Sequence, residues 1–328
     1  MSRLTTWVRL SFALQRWELL FMVGGSALLA AGMLWIAWQA QAVVAIDPGC
    51  FGSDAGGNVC QHVMEQFNGL YDLGTKLLDV GFGVPFCMGL VLGVPLVARE
   101  IDHGTADMAW TLSRSRRRWL APRIAFVALV VIGLLGVIAI ASDVVAQAIQ
   151  PGSNLAADFT WYGRRGGLLV MRGLLALCIG LASGAIFGRQ LPALLVAIFV
   201  SIAIFTAVSL GMDRWLETDA VATAYGVELG GGKQLGDRIE LANGQLASFT
   251  ELDPTGRTNI AIEADGMVYT SIDENGLVSG DPVGRMVSLV VPGDLYPAIV
   301  LRESGVLGGL ALLAGGLAFL VVDRRRPY

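Results

Sequence analysis

At 328 residues, with 54% hydrophobic and only 15% charged side chains and 42 glycines, the chain is too apolar for an ordinary water-soluble domain, in which about a quarter of residues are charged. Its net charge of −4 identifies no partner by itself, because the charges are spread very unevenly, and no nucleic-acid partner is expected. The first apolar stretch follows three arginines, runs too long for a leader and ends without a small-residue cleavage site, which excludes a cleavable signal peptide and leaves the N-terminus attached.

Residues 1–18 predict an interfacial helix. Leu4, Val8, Ser11 and Phe12 share one side, with Trp7 and Trp17 suited to a headgroup boundary, although a plain basic flank fits the same pattern. A hydrocarbon core about 30 Å thick needs roughly 20 apolar residues in a helix, because backbone groups in lipid must be satisfied within the segment. Six stretches meet that requirement: Leu19–Ile46, Val80–Ala98, Ile124–Ala141, Leu168–Phe187, Leu191–Met212 and Ser304–Val322. The predicted fold class is therefore an α-helical polytopic membrane protein, with residues 19–212 holding the first five transmembrane helices and 297–328 the sixth plus a basic tail.

Between the first two spans, Cys50 and Cys60 flank a glycine-rich loop and predict a disulfide on the oxidising face of the membrane. Two free thiols are the alternative; a redox or metal role is disfavoured because the nearby His62 lacks further ligands. Cys87 and Cys178 fall within spans and read as small apolar packing residues. The second span carries Gly81, Gly83, Pro85, Gly89, Gly93 and Pro95, which allow bending or close approach of another helix.

The second and third spans are joined by a short charged loop, residues 99–121. A helix leaves the membrane at Arg99 and is interrupted near Gly104. An apolar, aromatic patch around Trp110 follows, and a new helix starts with Ser113 or Ser115 as its cap. Such a knob offers a soluble partner a surface to push on; a basic loop that only fixes orientation would explain Arg114–Arg118 but not the preceding pattern.

The fourth span contains Arg172 and the sixth begins beside Glu303. Ionisable groups in or at the edge of a span point to a substrate path, an outer gate or a buried pair. Both lie near the outer ends of their helices, where Arg172 can snorkel toward the headgroups, and that reading is preferred here.

Residues 213–296 change character: period-two alternation appears between turn dipeptides, predicting a small extracytoplasmic β-rich domain between helices 5 and 6. Asn243-Gly244 separates Arg238–Ala242 from Gln245–Thr250, and Asp265-Gly266 separates Thr258–Ala264 from Met267–Asp273, each as a two-residue hairpin turn. Asn275-Gly276 would add a further strand, and Val283–Tyr296 reads as an amphipathic return along the membrane surface.

Orientation follows from the basic residues of alternate loops. Thirteen lie on the side of the termini and the 99–121 loop, whereas Asp213–Tyr296 carries fourteen acids against five bases. Both termini are therefore expected in the cytoplasm. Catalytic motifs are missing: Gly230–Gln234 imitates a phosphate loop but has Val227 and Gln234 where Gly and Ser or Thr are required, and the acidic run Asp273–Asp281 breaks calcium-loop spacing at Leu277. His62 and His103 fall on opposite sides, and neither a His-Glu-x-x-His helix nor Gly-x-Ser-x-Gly occurs. No cofactor is expected in this chain.

The loop residues Pro95-Leu96-Val97-Ala98-Arg99-Glu100-Ile101-Asp102-His103-Gly104-Thr105-Ala106-Asp107-Met108-Ala109-Trp110-Thr111, followed by Arg116-Arg117-Arg118-Trp119-Leu120, fill every fixed position of "P-L-x-A-R-E-x-x-x-G-T-x-x-x-A-W-T" and "R-x-x-W-L". On them the chain resembles the permease subunits of type-two ATP-binding-cassette (ABC) exporters, especially an actinobacterial branch. The resemblance implies a multi-pass protein of a bacterial plasma membrane, working as a dimer, with a homodimer preferred. Its partners would be cytoplasmic ATPase subunits that bind ATP and Mg. Arg99, Glu100, His103, Gly104, Thr105, Trp110, Arg116, Arg117, Arg118 and Trp119 would carry the coupling. Glu303 resembles a family position. Two features depart from the family pattern: the outer domain is larger and more β-rich, and Pro122 stands where a basic residue is expected. A receptor using the acidic outer domain is the alternative; a membrane enzyme or protease fits least.

Overall fold

A computed structural model describes residues 16–51, 58–104, 116–225, 231–252, 261–262, 266–269 and 282–324. The proposed interfacial helix before Arg16, the Asn275-Gly276 strand and the stretch holding Thr105 and Trp110 lie outside these residues.

The helices are α1 (Arg16–Ile46), α2 (Asn58–Gly93), α3 (Pro95–Asp102), α4 (Arg116–Ile149), α5 (Gly167–Phe187), α6 (Gln190–Asp219), the single-turn α7 (Phe249–Leu252) and α8 (Tyr296–Arg324). Among the described residues, six helical stretches are long and apolar enough to cross a membrane: Arg16–Ile46, Cys60–Asp102, Leu120–Ile149, Gly167–Phe187, Gln190–Asp219 and Gly293–Arg324. Most outrun the span their apolar runs predict. The 36 residues of α2 correspond to roughly 54 Å at 1.5 Å per residue. That exceeds a core of about 30 Å, so α2 must project beyond the hydrocarbon, and its polar first turns up to Asp79 are the part suited to water.

The chain forms two compact units. One comprises residues 1–153, 161–208 and 300–328; the other comprises 154–160 and 209–299. In the helical unit, α2 and α5 meet through glycines. A Cβ on Gly89 would stand 2.6 Å from the Gly173 carbonyl, one on Gly93 would stand 2.5 Å from the Leu177 carbonyl, and one on Gly184 would stand 2.7 Å from the Val94 carbonyl. Gly89 and Gly93 thus lie against the Gly173 and Leu177 backbone, and Gly180 and Gly184 against that of Val94 just past α2, the small-residue contact by which membrane helices associate where no hydrophobic drive exists between them. Close packing is what these α2 glycines do. Leu92, Val97, Leu135, Ile138 and Leu169 fill the adjoining core.

Among its described residues the second unit carries a six-stranded antiparallel sheet: β1 (Val221–Ala224), β2 (Lys233–Leu241), β3 (Leu246–Ala247), β4 (Ala261–Ile262), β5 (Met267–Tyr269) and β6 (Gly284–Val291). Its order is β3-β2-β6-β5-β4, with β1 pairing β6 as well. Three expectations are corrected. The segment read as a surface-lying return is β6, the central strand, which pairs β2 along one edge and β1 and β5 along the other.

The hairpin registers also differ from two-residue turns. Across Asn243-Gly244 such a turn would set Glu240 opposite Ala247. Instead Ile239 faces Ala247 and Glu240 faces Leu246, so three residues form the loop and Gly244 takes a φ of +77°, the left-handed position that a three-residue loop assigns to glycine. Burial selects this register, because a one-residue slip exchanges the faces: Ile239 and Ala247 are buried, while Glu240 and Leu246 point outward. The second hairpin has the same offset, with Ile262 opposite Val268.

Finally, the strand expected over Gln245–Thr250 stops at Ala247. Ser248 Oγ accepts from Glu251 N–H at 3.2 Å and Glu251 Oε2 accepts from Ser248 N–H at 2.8 Å, a reciprocal cap that starts α7. This turn brings Phe249 and Leu252 onto the core of Ile239, Val268 and Met286.

Candidate functional site

The loop singled out in the sequence starts from α3. Val94 N–H donates to the Leu90 carbonyl and Ala98 N–H to the Val94 carbonyl, so α2 runs into α3 with Pro95 at the first position of the new helix, where its missing N–H costs nothing. Leu96, Val97 and Ala98 are buried. Ile101 still packs against the core that holds Leu96 and Val97, and exposure begins at Asp102. His103 closes the helix with its N–H on the Arg99 carbonyl, and Gly104, at φ +69°, donates to the Ile101 carbonyl; the helix ends where a left-handed residue is needed. His103 and Gly104 are both exposed.

The carboxylate of Glu100 is paired with the guanidinium of Arg123 on α4, and both side chains are largely buried, at 13% and 7% exposed. Arg99 reaches back to Glu18 on α1 at 3.2 Å, with both side chains more open to solvent. Adjacent residues of α3 are therefore each paired with a different helix, Arg99 with α1 and Glu100 with α4. Arg116, Arg117, Arg118 and Trp119 form the first residues of α4. Arg123 and Glu18 were not picked out from the sequence. They entered only the charge count, and the one local sign was Arg123 directly following the unexpected Pro122.

Arg172 and Glu303 form the second cluster. Here the snorkelling expectation is corrected: Arg172 turns into the helix bundle, Nη2 bonding Glu303 Oε1 at 2.8 Å, with side chains only 11% and 5% exposed. Its Nη1 donates to the Gly163 carbonyl at 2.6 Å. The guanidinium also lies 5.1 Å from the centre of the Phe82 ring on α2, a cation–π distance. Glu303 Oε2 accepts from the hydroxyl of Tyr162. An arginine at mid-membrane costs about 2.5–3.5 kcal/mol on insertion scales, and an unpaired buried carboxylate would be worse. Pairing plus two further hydrogen bonds offsets both. Tyr162 was not identified from the sequence, because residues 131 and 141 positions from Glu303 leave no periodic trace.

Cys50 and Cys60 are joined in a disulfide, tying the end of α1 to the start of α2, as the sequence predicts. Their thiols are consumed, so the carboxylate of nearby Asp47 gains no sulfur ligands for a metal from them. His62 instead bonds Gln66 at 3.1 Å.

The chain matches no curated protein and no solved structure. The model of one protein family, described as ABC-2 membrane transporter related, matches residues 23–216, which takes in most of α1, all of α2 to α5 and most of α6 together with both ion-paired clusters except Glu18 and Glu303. This match covers more than half of the chain and agrees with six helices, among the described residues, long and apolar enough to cross a membrane, and the chain accordingly belongs to the ABC-2 membrane transporter related family.

Proposed function

We propose that the chain is the permease subunit of an ABC exporter, moving a lipid, a peptide or an amphipathic compound outward with ATP hydrolysed by a separate cytoplasmic subunit. Membership of an ABC-2 family carries this reading. In the proposed assembly two copies pair, each meeting an ATPase through the residues around α3, and both termini lie in the cytoplasm. The sheet unit then lies outside, a placement favoured by the Cys50–Cys60 disulfide, since such bonds persist on the oxidising face.

The mechanism is mechanical. Closure of the ATPases moves the loop beyond Arg99, and the Glu100–Arg123 and Arg99–Glu18 pairs pass that movement to α4 and α1. In both cases a two-state change in helix arrangement does the work. No step is assigned to a catalytic side chain of this chain.

The test is a pull-down of the tagged full-length protein from its native membrane in mild detergent, assayed for a bound ATPase and repeated with Glu100→Gln and Trp110→Ala. Stoichiometric ATPase on the wild type, lost from the variants while insertion is unchanged, is expected. A clean protein without ATPase activity would instead support a receptor built around the acidic sheet unit.

A further inference from the structure

The segment between α4 and α5 is divided between the two units. Asn154–Thr160 belongs with the sheet, and the chain from Trp161 onward belongs with the helices.

Within the sheet unit the first part is gripped from two sides. A Cβ added to Gly231 would fall 2.4 Å from the Ala157 carbonyl oxygen, and one added to Gly293 would fall 2.0 Å from it. Phe159 N–H donates to the Gly231 carbonyl at 2.9 Å, and the Phe159 ring meets Tyr296 edge-on at 5.2 Å. The buried carboxylate of Asp158 accepts from the Thr160 backbone N–H at 2.7 Å. This strap cannot slide without disturbing the sheet unit's own packing.

Within the helical unit the next five residues each hold a different point. Trp161 Nε1 donates to Gln150, just past α4. Tyr162 donates to Glu303 on α8, and the Gly163 carbonyl accepts from Arg172 on α5. Arg164 pairs with Asp79 on α2 and Arg165 with Asp143 on α4, at 3.0 and 3.1 Å. The Arg164 pair is exposed and weak; those of Tyr162, Gly163 and Arg165 are buried on at least one side. Four membrane helices therefore converge on a five-residue segment whose covalent neighbour is the strap.

We propose that Asn154–Arg165 is a transmission element, through which a change in the sheet unit (a ligand bound there, or a load) alters how α2, α4, α5 and α8 are tied together. It goes beyond the exporter reading and does not rest on it. Linkage makes the coupling reciprocal: if the state of one unit biases the other, the state of the second must bias the first. Spatial intermediacy alone does not establish such coupling, so the test perturbs each side separately.

Hydrogen–deuterium exchange would be measured on the full-length protein in lipid nanodiscs, comparing wild type, Gly231→Ala, Tyr162→Phe and Gly244→Ala. Gly231→Ala forces the strap to move from the sheet side and is expected to raise exchange over Asp143–Gln150 and Gly167–Arg172 by about fivefold or more, the low end of ordinary allosteric coupling. Tyr162→Phe removes one hydroxyl inside the helical unit and is expected to raise exchange at Ala157 and Phe159 by a similar factor. Gly244→Ala strains the same sheet at a turn with no neighbour within 4 Å and should leave the helical unit unchanged. If each effect stays within its own unit, or only one crosses, the proposal fails; if Gly231→Ala does not fold, the Tyr162→Phe result decides in either direction. Neither ATP hydrolysis nor transport is read, so this outcome is separate from the fate of the exporter reading.

Discussion

Two helices that follow one another in sequence, α5 and α6, have opposite fates. In the most apolar stretch of α5, 67% of residues are buried, against 17% in that of α6, although the α6 stretch is the more apolar of the two. Hydrophobicity therefore does not decide which membrane helix sits in the centre, since lipid receives an apolar side chain as well as a neighbouring helix does. What α5 has is small residues and polar anchors: Gly180 and Gly184 against the Val94 backbone and Gly173 against the Leu135 side chain, and Arg172 against Glu303. Gly211, on α6, meets nothing within 4 Å, and Leu191, Leu195, Phe199 and Ile202 stand exposed. Such a face suits lipid or a second copy of the chain.

The comparison breaks most visibly at its polar anchor. Arg172→Ala leaves Glu303 buried without its cation and is expected to cost about 3–5 kcal/mol, the range for a broken buried pair. The double change Arg172→Leu with Glu303→Leu removes both charges and is expected to recover most of that loss. Unfolding midpoints of the purified protein would rank the three chains. A double variant as unstable as the single one would mean that α5 does not depend on the charge balance.

Next comes the glycine contact. Gly93→Leu drives a side chain toward a backbone carbonyl that cannot step aside, and overpacking of this kind costs about 1–3 kcal/mol and sometimes more. Gly211→Leu should stay within about 0.5 kcal/mol, as surface changes do. Monodisperse yield and thermal midpoint measure both. Equal stability of the two variants would remove small-residue packing as the reason for α5's central place.

That same contrast marks what could be read from residue order. Six apolar runs near 20 residues announce six crossings because lipid leaves the backbone no other partner. The glycine pattern of α2 announces a close contact but not its partner, since Gly89 and Gly93 meet α5 rather than a neighbour in sequence. Hairpins were legible from Asn243-Gly244 and Asp265-Gly266, yet their registers were not, because the burial of Ile239 against Ala247 outranks the usual two-residue turn. The central strand β6 was misread for a related reason: Met286, Val287 and Ser288 are buried in succession, and a strand covered on both faces loses the alternation that betrays strands. Glu100 was picked out by its motif and Arg172 by its charge in a span, but Arg123 and Tyr162, their partners, are specified only by the folded chain.

A covalent tie sets the next level. The Cys50–Cys60 bridge closes a loop with a sequence separation of 10, for which chain entropy allows about 2–3 kcal/mol. That contribution constrains the unfolded chain and is indifferent to whether helices face lipid or each other. Reduction, or replacement of both cysteines by serine, should lower the thermal midpoint by less than Arg172→Ala does while leaving the α2–α5 contact intact. A larger loss than Arg172→Ala would show that the joined ends of α1 and α2, rather than the packed centre, dominate stability.

The smallest effect separates burial from mere pairing. Arg99 and Glu100 are adjacent on α3, and each holds an ion pair, but Arg99 and Glu18 are 39% and 29% exposed whereas Arg123 and Glu100 are 7% and 13% exposed. Water screens the first pair, so Arg99→Ala is expected to cost no more than about 1 kcal/mol. Glu100→Ala removes the carboxylate that faces a buried guanidinium and belongs with the larger penalties of broken buried pairs. Because the two residues share one helix and one end of the bundle, the difference between their unfolding midpoints isolates desolvation from position. If Arg99→Ala destabilised as much as Glu100→Ala, the rule drawn from α5 and α6, that interior polar anchors and close contacts hold this bundle, would not extend to the end that carries α3.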